Sequence, residues 1–346
     1  MTHPLDTAPP PARLADVELP ELNPDSDRWP GRKVNVAGVS LHVRHTPGPD
    51  GAERAVLIHG LGGAATNWTD FAALISSQLD VEAIDLPGFG FSGETLDRNY
   101  SIAMQVAIVI AFLDESKRSG EWRGPVHLVG NSMGGLISLE VAALRPDLVR
   151  TLTLISPAVP DTKAFRSQPL KNDPLMALVV LPGLGEYGVR RLAKAGVEAR
   201  VRGSLGICFA DPHRYPANRL AQDIEDVTTR LAECPWAQRV LLKATRALVR
   251  VQYFRRRATW RRIRTIIAPT LVLWGDSDKL VAVDLAEQVT AAIPGARLRI
   301  FEDTGHTAMM ERPVESARAF FGLLEDVAAG QFSRPDDAAA SASVPS

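Results

Sequence analysis

The sequence predicts an α/β fold in which helices cover both faces of a mostly parallel, eight-stranded sheet. Two observations support this prediction. Short apolar stretches alternate with helical patterns from residue 33 to 159 and again from 265 to 329, as expected of parallel strands joined by helices. The interval between them spans about 110 residues, whereas a plain crossover needs roughly a dozen. We therefore predict one sheet domain with an inserted, mainly helical cap at residues 160–264.

The predicted strands and helices follow one another in a regular order. The first two strands form a hairpin over residues 33–45, which turns near Gly38 and adds antiparallel strands at one sheet edge. Six further strands are short apolar runs at 55–58, 81–84, 126–129, 151–155, 270–274 and 297–301. Apolar residues at helical spacing predict helices at 67–78, 101–117, 133–144, 283–293 and 313–327.

Charge separates the cap from the sheet domain. Of the 39 basic and 40 acidic residues in the chain, the cap holds 21 and 9, which leaves 18 and 31 elsewhere. A formal net charge of −1 therefore conceals a basic cap on an acidic body. The near-neutral total gives the chain as a whole no bias toward nucleic acid or an anionic membrane, and no nucleic-acid partner is predicted.

Composition and chain ends limit the remaining possibilities. The 346 residues, 45% of them hydrophobic, suffice for a large core. Two cysteines are too few for a disulfide framework, although a single pairing stays open. Residues 1–32 lack an apolar signal core and are rich in proline and acidic residues, so we expect them to be disordered, as is the tail at 330–346. The sequence has no run of about 18 apolar residues, so no transmembrane helix is predicted. A cytoplasmic location is expected.

A serine between glycines marks the boundary between a predicted strand and a predicted helix. Residues 130–134, Gly-Asn-Ser-Met-Gly, fit the pattern G-x-S-x-G. A nucleophile on such a tight turn adopts strained backbone angles, and its neighbours two residues away must be small for the chain to pass itself. The helix that follows would offer amides to a developing oxyanion. Ser132 is therefore the predicted nucleophile, and a tight turn without catalysis is the alternative.

A serine nucleophile needs a base, and the base needs an orienting acid. His306 is the candidate base, because it lies in the loop that follows the last predicted strand. Two candidate acids, Asp276 and Asp278, follow the strand at 270–274. Asp276 abuts the strand end, where an aspartate commonly bonds the turn backbone. Asp278 lies further out and is the favoured acid.

Five motifs in this order resemble those of the α/β-hydrolase family. They are HGLGG at 59–63, DLPGFGFS at 85–92, GNSMGG at 130–135, WGDSDKLV at 274–281 and GHTAMMERP at 305–313. The resemblance runs from residue 33 to about residue 328, and the order nucleophile, acid, histidine is that of the family. It implies Ser132 as nucleophile, His306 as base and Asp278 as acid. Some relatives place the acid one strand earlier, where Asp161 is the nearby option.

The same resemblance implies an oxyanion hole built from two backbone amides, those of Met133 and Leu61. His59 is then expected to hold the loop that carries Leu61, rather than to act as a second base. Serine at the nucleophile position disfavours relatives that use an aspartate there, the haloalkane dehalogenases and epoxide hydrolases. The sequence contains no zinc-ligand spacing, and no cofactor is predicted.

The resemblance predicts a serine hydrolase that forms an acyl-enzyme, with carboxylic esters of small or lipid-like molecules as the favoured substrates. The motif GNSMGG, with Asn131 directly before the nucleophile, is similar to that of hydrolases that cleave carbon–carbon bonds in ring-fission products. Those relatives usually carry tryptophan after the catalytic histidine, where this chain has Thr307. The alternative is that Asn131 only forms hydrogen bonds near the turn and has no part in substrate choice. Perhydrolase, thioesterase and lactonase activities are further alternatives.

The cap is expected to control specificity, and its apolar residues 178–188 are candidates to line the entrance. Its arginine cluster comprises Arg255, Arg256, Arg257, Arg261 and Arg262. The cluster is either a solvated helix face or a surface that attracts anionic substrates or an acidic lipid surface. A hydrolase-fold binding protein that acts through this cap is the alternative of a different class.

Overall fold

The computed structural model describes residues 9–23, 30–120, 122, 124–162 and 196–332. Its strands are β1 (Gly31–Val36), β2 (Val39–Thr46), β3 (Arg54–Ile58), β4 (Asp80–Ile84), β5 (Val126–Asn131), β6 (Val149–Ile155), β7 (Thr270–Gly275) and β8 (Arg297–Phe301). They form one sheet in the order β1-β2-β4-β3-β5-β6-β7-β8. Strand β2 pairs antiparallel with β1 and β4, and all other pairings are parallel. The predicted fold class is confirmed.

The helices connect these strands. Within the described residues they are α1 (Thr69–Ile75), α2 (Ile102–Arg118), α3 (Met133–Leu144), α4 (Val197–Cys208), α5 (Ala217–Glu233), α6 (Ala237–Phe254), α7 (Arg256–Ile263), α8 (Asp284–Ala292), α9 (Ala308–Glu311) and α10 (Pro313–Ala328). The helix predicted at 67–78 is a 3₁₀ turn, Ala65–Trp68, that continues into α1. No helix in this part of the chain is long and apolar enough to cross a membrane.

Two apolar layers enclose the sheet. On one face α2, α3 and α8 contribute buried side chains, and on the other face α1 and α10 do so. Leu128 and Val129 are adjacent in β5 and belong to opposite layers, because successive side chains of a strand point to opposite faces. This two-sided burial explains why the central strands are continuous apolar runs in the sequence.

The N-terminal region corrects one expectation. Disorder over residues 1–32 is wrong for residues 9–23, and β1 itself begins at Gly31. Ala12 donates a 2.7 Å hydrogen bond to the carbonyl of Leu298 in β8, and Ala15 donates a 2.9 Å bond to the carbonyl of Arg318 in α10. Both alanines are buried. The segment satisfies backbone groups at the sheet edge that composition alone does not reveal. The predicted tail lies outside the described residues from 333 onward.

The predicted cap is inserted between β6 and β7. Its described part, residues 196–264, consists of α4 to α7 with short connections. Helix α6 contacts α2, and α7 contacts α3, so this part of the cap packs against the nucleophile side of the sheet domain. The predicted entrance segment at 178–188 lies outside the described residues.

Candidate active site

Ser132 occupies the turn between β5 and α3. Its φ of 54° and ψ of −118° lie outside the regions that residues with a side chain normally adopt. A Cβ atom on Gly130 would clash with the carbonyl of Gly134, and one on Gly134 would clash with the carbonyl of Ile58 in β3. The two glycines of the motif are therefore required for the turn to close, as the sequence pattern predicts.

The loop at residues 59–63 lies directly against this turn. A Cβ atom on Gly60 would lie 3.0 Å from the Cβ atom of Ser132, so only glycine permits the approach. In the described part of the chain, the backbone amides of Leu61 and Met133 donate no hydrogen bond. Two amides without acceptors beside one serine hydroxyl are the groups that an oxyanion hole requires.

His59 holds this loop, as the sequence analysis expects. Its Nε2 accepts a 3.0 Å hydrogen bond from the amide of Leu86. Its Nδ1 then carries the proton and donates to the carbonyl of Gly60 at 2.7 Å. Burial lowers the pKa of His59, which agrees with a neutral ring. The side chain is fully committed to the backbone and leaves no nitrogen for a substrate.

The buried side chain of Asp85 bonds the backbone close to the loop at residues 59–63. Asp85 accepts hydrogen bonds from the amide of Ala65 at 2.6 Å, the amide of Phe91 at 2.9 Å and Nδ1 of His42 at 2.7 Å. Burial acts to raise the pKa of Asp85, but His42, His59 and the Ala65 amide outweigh it and hold the pKa below its ordinary value. The DLPGFGFS motif therefore builds a structural network, and sequence reasoning did not identify His42 as part of it.

His306 and Asp278 form a buried pair at the ends of β8 and β7. Nδ1 of His306 lies 2.8 Å from Oδ2 of Asp278, and the two side chains are 3% and 0% exposed. Oδ1 of Asp278 accepts hydrogen bonds from the amides of Leu280 and Val281 at 2.8 and 3.0 Å. Burial acts to raise the pKa of Asp278, but His306 and these amides outweigh it, so the pKa lies below the ordinary value. An ionised carboxylate in this position fixes the orientation of the imidazole.

The competing acids are placed differently. Asp276 is exposed, and its Oδ1 accepts from the hydroxyl of Ser277 at 2.9 Å and from the amide of Thr304 at 3.4 Å. It bonds the turn, as its position after the strand predicts. Since Nδ1 of His306 is engaged by Asp278, the geometry favours Asp278 over both Asp276 and Asp161.

Asn131 joins the turn at Ser132 to the loop at His306. Its Nδ2 donates to the carbonyl of Ile155 and to the carbonyl of His306, each at 3.1 Å. The hydroxyl of Ser132 and Nε2 of His306 do not hydrogen-bond to each other in the described structure, and such bonds often tighten only when substrate binds. The asparagine therefore positions the two loops relative to one another, which is a structural role.

A segment of the cap crosses the His306 loop, and we call residues 206–214 the strap. The amide of His306 donates to the carbonyl of Cys208 at 2.6 Å. A Cβ atom on Gly305 would clash with the same carbonyl, so the glycine before the histidine is needed for this contact. The cap thus bonds directly to the backbone of the candidate base.

The buried carboxylate of Glu311 holds the strap through hydrogen bonds. Its side chain is fully buried and accepts hydrogen bonds from the amides of Ala210, Asp211 and Gly305 at 2.7–3.1 Å and from Arg214 at 3.0 Å. Four donors satisfy both carboxylate oxygens, as a buried charge requires. In the sequence Glu311 belongs to the motif at 305–313, and no local pattern there indicates that its carboxylate is buried.

Lys279 lies in the loop that carries Asp278, and it also holds the strap. Its Nζ donates to the carbonyls of Gly206 and Phe209 at 3.0 and 3.1 Å, at the C-terminal end of α4, where a cation is favourable. The loops that carry Asp278 and His306 therefore hold the same cap segment. Local sequence patterns do not show this link because its partners are about 70 residues apart.

The alpha/beta hydrolase fold model matches residues 56–313, and the chain belongs to this family of hydrolases. It is similar to monoacylglycerol lipase abhd6-B of Xenopus laevis, with 28% identity over 280 residues that cover 81% of this chain and 77% of that protein. It is also similar to the 2-hydroxy-6-oxononadienedioate/2-hydroxy-6-oxononatrienedioate hydrolase of Cupriavidus pinatubonensis, with 27% identity over 282 residues that cover 80% and 86%. The crystal structure of a bacterial membrane phospholipase A is similar at a TM-score of 0.64 and 25% identity, covering 86% of each chain.

Proposed function

We propose that the protein hydrolyses carboxylic esters through an acyl-enzyme on Ser132, with His306 as base and Asp278 as orienting acid. The observation that carries this proposal is the buried 2.8 Å pair between Nδ1 of His306 and Oδ2 of Asp278. It lies at the same sheet edge as the strained turn of Ser132. Nothing in this chemistry calls for a cofactor.

The proposed reaction has two halves. The Ser132 oxygen attacks the ester carbonyl while Nε2 of His306 takes its proton, and Asp278 stabilises the resulting imidazolium. The amides of Leu61 and Met133 stabilise the oxyanion. The alcohol leaves with the proton from His306, and the acyl group stays on Ser132. Water then attacks this ester, His306 takes and returns a proton, and the carboxylic acid is released with the serine restored.

A lipid-like ester is the favoured substrate class. Two similar proteins, a monoacylglycerol lipase and a membrane phospholipase A, are named for lipid esters. Carbon–carbon cleavage is the second candidate, because another relative is named as a hydrolase of a ring-fission-type dienedioate. Two observations weigh against it here. Both amide hydrogens of Asn131 are taken by backbone carbonyls, and Thr307 stands where those relatives usually carry tryptophan.

Covalent labelling tests the nucleophile. A fluorophosphonate probe should modify Ser132 in the wild-type protein and leave the Ser132→Ala variant unmodified. Asp278→Asn should reduce the labelling rate strongly, whereas Asp276→Asn should reduce it little, because only Asp278 contacts the imidazole. Labelling of a different serine, or of none, would refute the proposed mechanism.

A substrate pair tests the bond that is cleaved. Short and long p-nitrophenyl esters should be hydrolysed, and a vinylogous diketo acid should not. Turnover of the diketo acid without turnover of any ester would instead support carbon–carbon hydrolysis by the same serine. Preference among acyl lengths would then define the substrate class.

A further inference from the structure

The end of α6 and the start of α7 carry a basic surface, which we call the patch: Arg250, Phe254, Arg255, Arg256, Arg257 and Arg261. All of these side chains except the half-buried Arg256 are exposed. From residue 234 to residue 275 the chain contains ten lysine or arginine residues and no aspartate or glutamate. We propose that the patch binds an anionic lipid surface and thereby holds the active site at a membrane.

Within the described residues, the arginines of the patch have no carboxylate partner. Arg262 pairs with Glu140 of α3, and Arg264 donates to the carbonyl of Trp260. In contrast, no carboxylate in the described ranges pairs with any arginine of the patch. Like charges held together repel one another, and an anionic surface relieves that repulsion.

An aromatic side chain lies among these charges. Phe254 is 82% exposed and its neighbour Tyr253 is 40% exposed. Arg250 and Phe254 are four residues apart in α6 and so share a helix face. An exposed phenylalanine flanked by arginines matches an interfacial anchor, in which the ring enters the headgroup boundary and the guanidinium groups contact phosphates.

Helix α6 connects the patch to the candidate active site. Near its start, Leu241 lies against the loop at 59–63, since a Cβ atom on Gly62 would lie 3.4 Å from Leu241 Cδ1. Near its end, Nε2 of Gln252 donates to the carbonyl of Ala158 at 2.7 Å. The amide of Ala158 in turn donates to the carbonyl of Ser132 at 2.9 Å. Phe254 is therefore two residues from Gln252, which is connected to the nucleophile turn through Ala158.

Nucleic acid also attracts arginines and aromatic rings. The connection between the patch and the candidate active site through α6 favours a lipid surface instead. That preference rests on the proposed ester hydrolysis, because the substrate would then be drawn from the surface that the patch binds. The charge and the exposed ring are independent of the reaction. Binding can therefore be tested apart from catalysis.

Vesicle sedimentation with the full-length Ser132→Ala protein tests the proposal without any turnover. Binding to vesicles of phosphatidylcholine with phosphatidylglycerol should be at least about tenfold tighter than to phosphatidylcholine alone, and should weaken as salt is raised. The triple variant Arg255→Gln/Arg256→Gln/Arg257→Gln should lose most of this binding. The control Arg98→Gln/Lys117→Gln/Arg118→Gln removes the same charge outside the cap and should bind as before.

The apolar anchor has its own matched pair. Phe254→Ser should weaken vesicle binding several-fold, whereas Leu96→Ser, at a leucine that is 86% exposed elsewhere, should leave it unchanged. Equal binding to neutral vesicles, equal losses in both triple variants, or no effect of Phe254→Ser would overturn the proposal. So would an oligonucleotide that binds the patch more tightly than the vesicles do. Loss of fluorophosphonate labelling in the wild type would refute only the proposed reaction.

Discussion

The cap meets the sheet domain in two regions that differ in kind. The strap is held by hydrogen bonds to the buried carboxylate of Glu311 and from the exposed ammonium group of Lys279, and it bonds the backbone of His306. Helices α6 and α7 instead meet the domain through buried apolar side chains and an ion pair between Arg262 and Glu140, and they carry the arginines of the patch. The strap can fix geometry because its bonds are directional, whereas the patch can only attract. We infer that one part of the cap positions the base and the other presents a surface.

The largest effect is expected from Glu311→Gln. The new amide group would face backbone amides where a carboxylate oxygen now accepts, so a buried network loses its match. We expect the free energy of unfolding to fall by about 2–4 kcal/mol and kcat to fall by more than about tenfold because the His306 loop shifts. Urea unfolding and ester kinetics measure both quantities.

The control for this change is Glu315→Gln. Glu315 forms a surface pair with Arg312 at 3.7 Å, so its loss should alter the free energy of unfolding by less than about 0.5 kcal/mol. If the two variants behave alike, the strap has no special role and the comparison between the two regions fails.

Asp278→Asn should produce the next largest effect, and one that depends on pH. The pKa of Asp278 is depressed in the folded protein, so its ionised form stabilises the fold above the unfolded-state pKa, about 3.9. That contribution is lost as the pH falls through the folded-state value. The difference in free energy of unfolding between wild type and variant should therefore be constant from about pH 5 to 7 and shrink below about pH 4.

Urea unfolding across this pH range provides the measurement, and Asp276→Asn is the matched comparison. The pKa of Asp276 is also lowered: burial acts to raise it, and bonds from Ser277, Asp303 and Thr304 outweigh this. Its exposed position predicts a smaller difference with the same sign. A wild-type advantage over Asp278→Asn that grows on acidification would contradict the assignment of an ionised Asp278.

Lys279→Met should have a smaller effect than either. It removes two hydrogen bonds from the strap but leaves no buried carboxylate unpaired. We expect a loss of about 1–2 kcal/mol in the free energy of unfolding and a change of a few-fold in kcat/KM. Lys243→Met is the control elsewhere in the cap, where Nζ donates a single hydrogen bond, to the carbonyl of Arg98 at 3.1 Å. An equal loss in Lys243→Met would remove the distinction between the two regions.

The smallest effect on stability is expected from the triple change Arg255→Gln/Arg256→Gln/Arg257→Gln. These side chains make no ion pair in the described structure, and their removal reduces like-charge repulsion. Thermal unfolding should give a melting temperature equal to or slightly above that of the wild type. A clear decrease would mean that the arginines support the fold and are not held for an external surface.

Several features of the site followed from local patterns. G-x-S-x-G between an apolar run and a helical pattern predicted the strained turn at Ser132, because small residues at 130 and 134 are a local steric requirement. The position of Asp276 directly after its strand predicted that it would bond the turn, which left Asp278 for the histidine. The backbone strain at Ser132 and the hydrogen bond from Ser277 to Asp276 follow these local patterns, because both involve residues within a few positions of one another. The catalytic role of Asp278 stays a prediction.

Other features depend on contacts between residues far apart in the chain, and local sequence patterns do not indicate them. Residues 9–23 were assigned to a disordered segment from their composition, yet they bond β8 and α10 near the other end of the chain. His42 lies in the hairpin strand β2, and no local pattern indicates its bond to the buried Asp85. For Asn131 the sequence left a substrate preference and a structural role open, and its hydrogen bonds to two distant backbone carbonyls favour the structural role.

The sequence by itself determined the order of strands and helices, the strained turn, the candidate residues and the separation of a basic cap from an acidic body. Periodicity, glycine placement and charge counts are properties of local segments, and local sterics and solvation act on them directly. Only the tertiary structure decided that Glu311 and Lys279 hold the strap, and which arginines have no carboxylate partner within the described residues. Those outcomes depend on buried polar groups finding partners far away in the chain, and burial is decided by the whole fold.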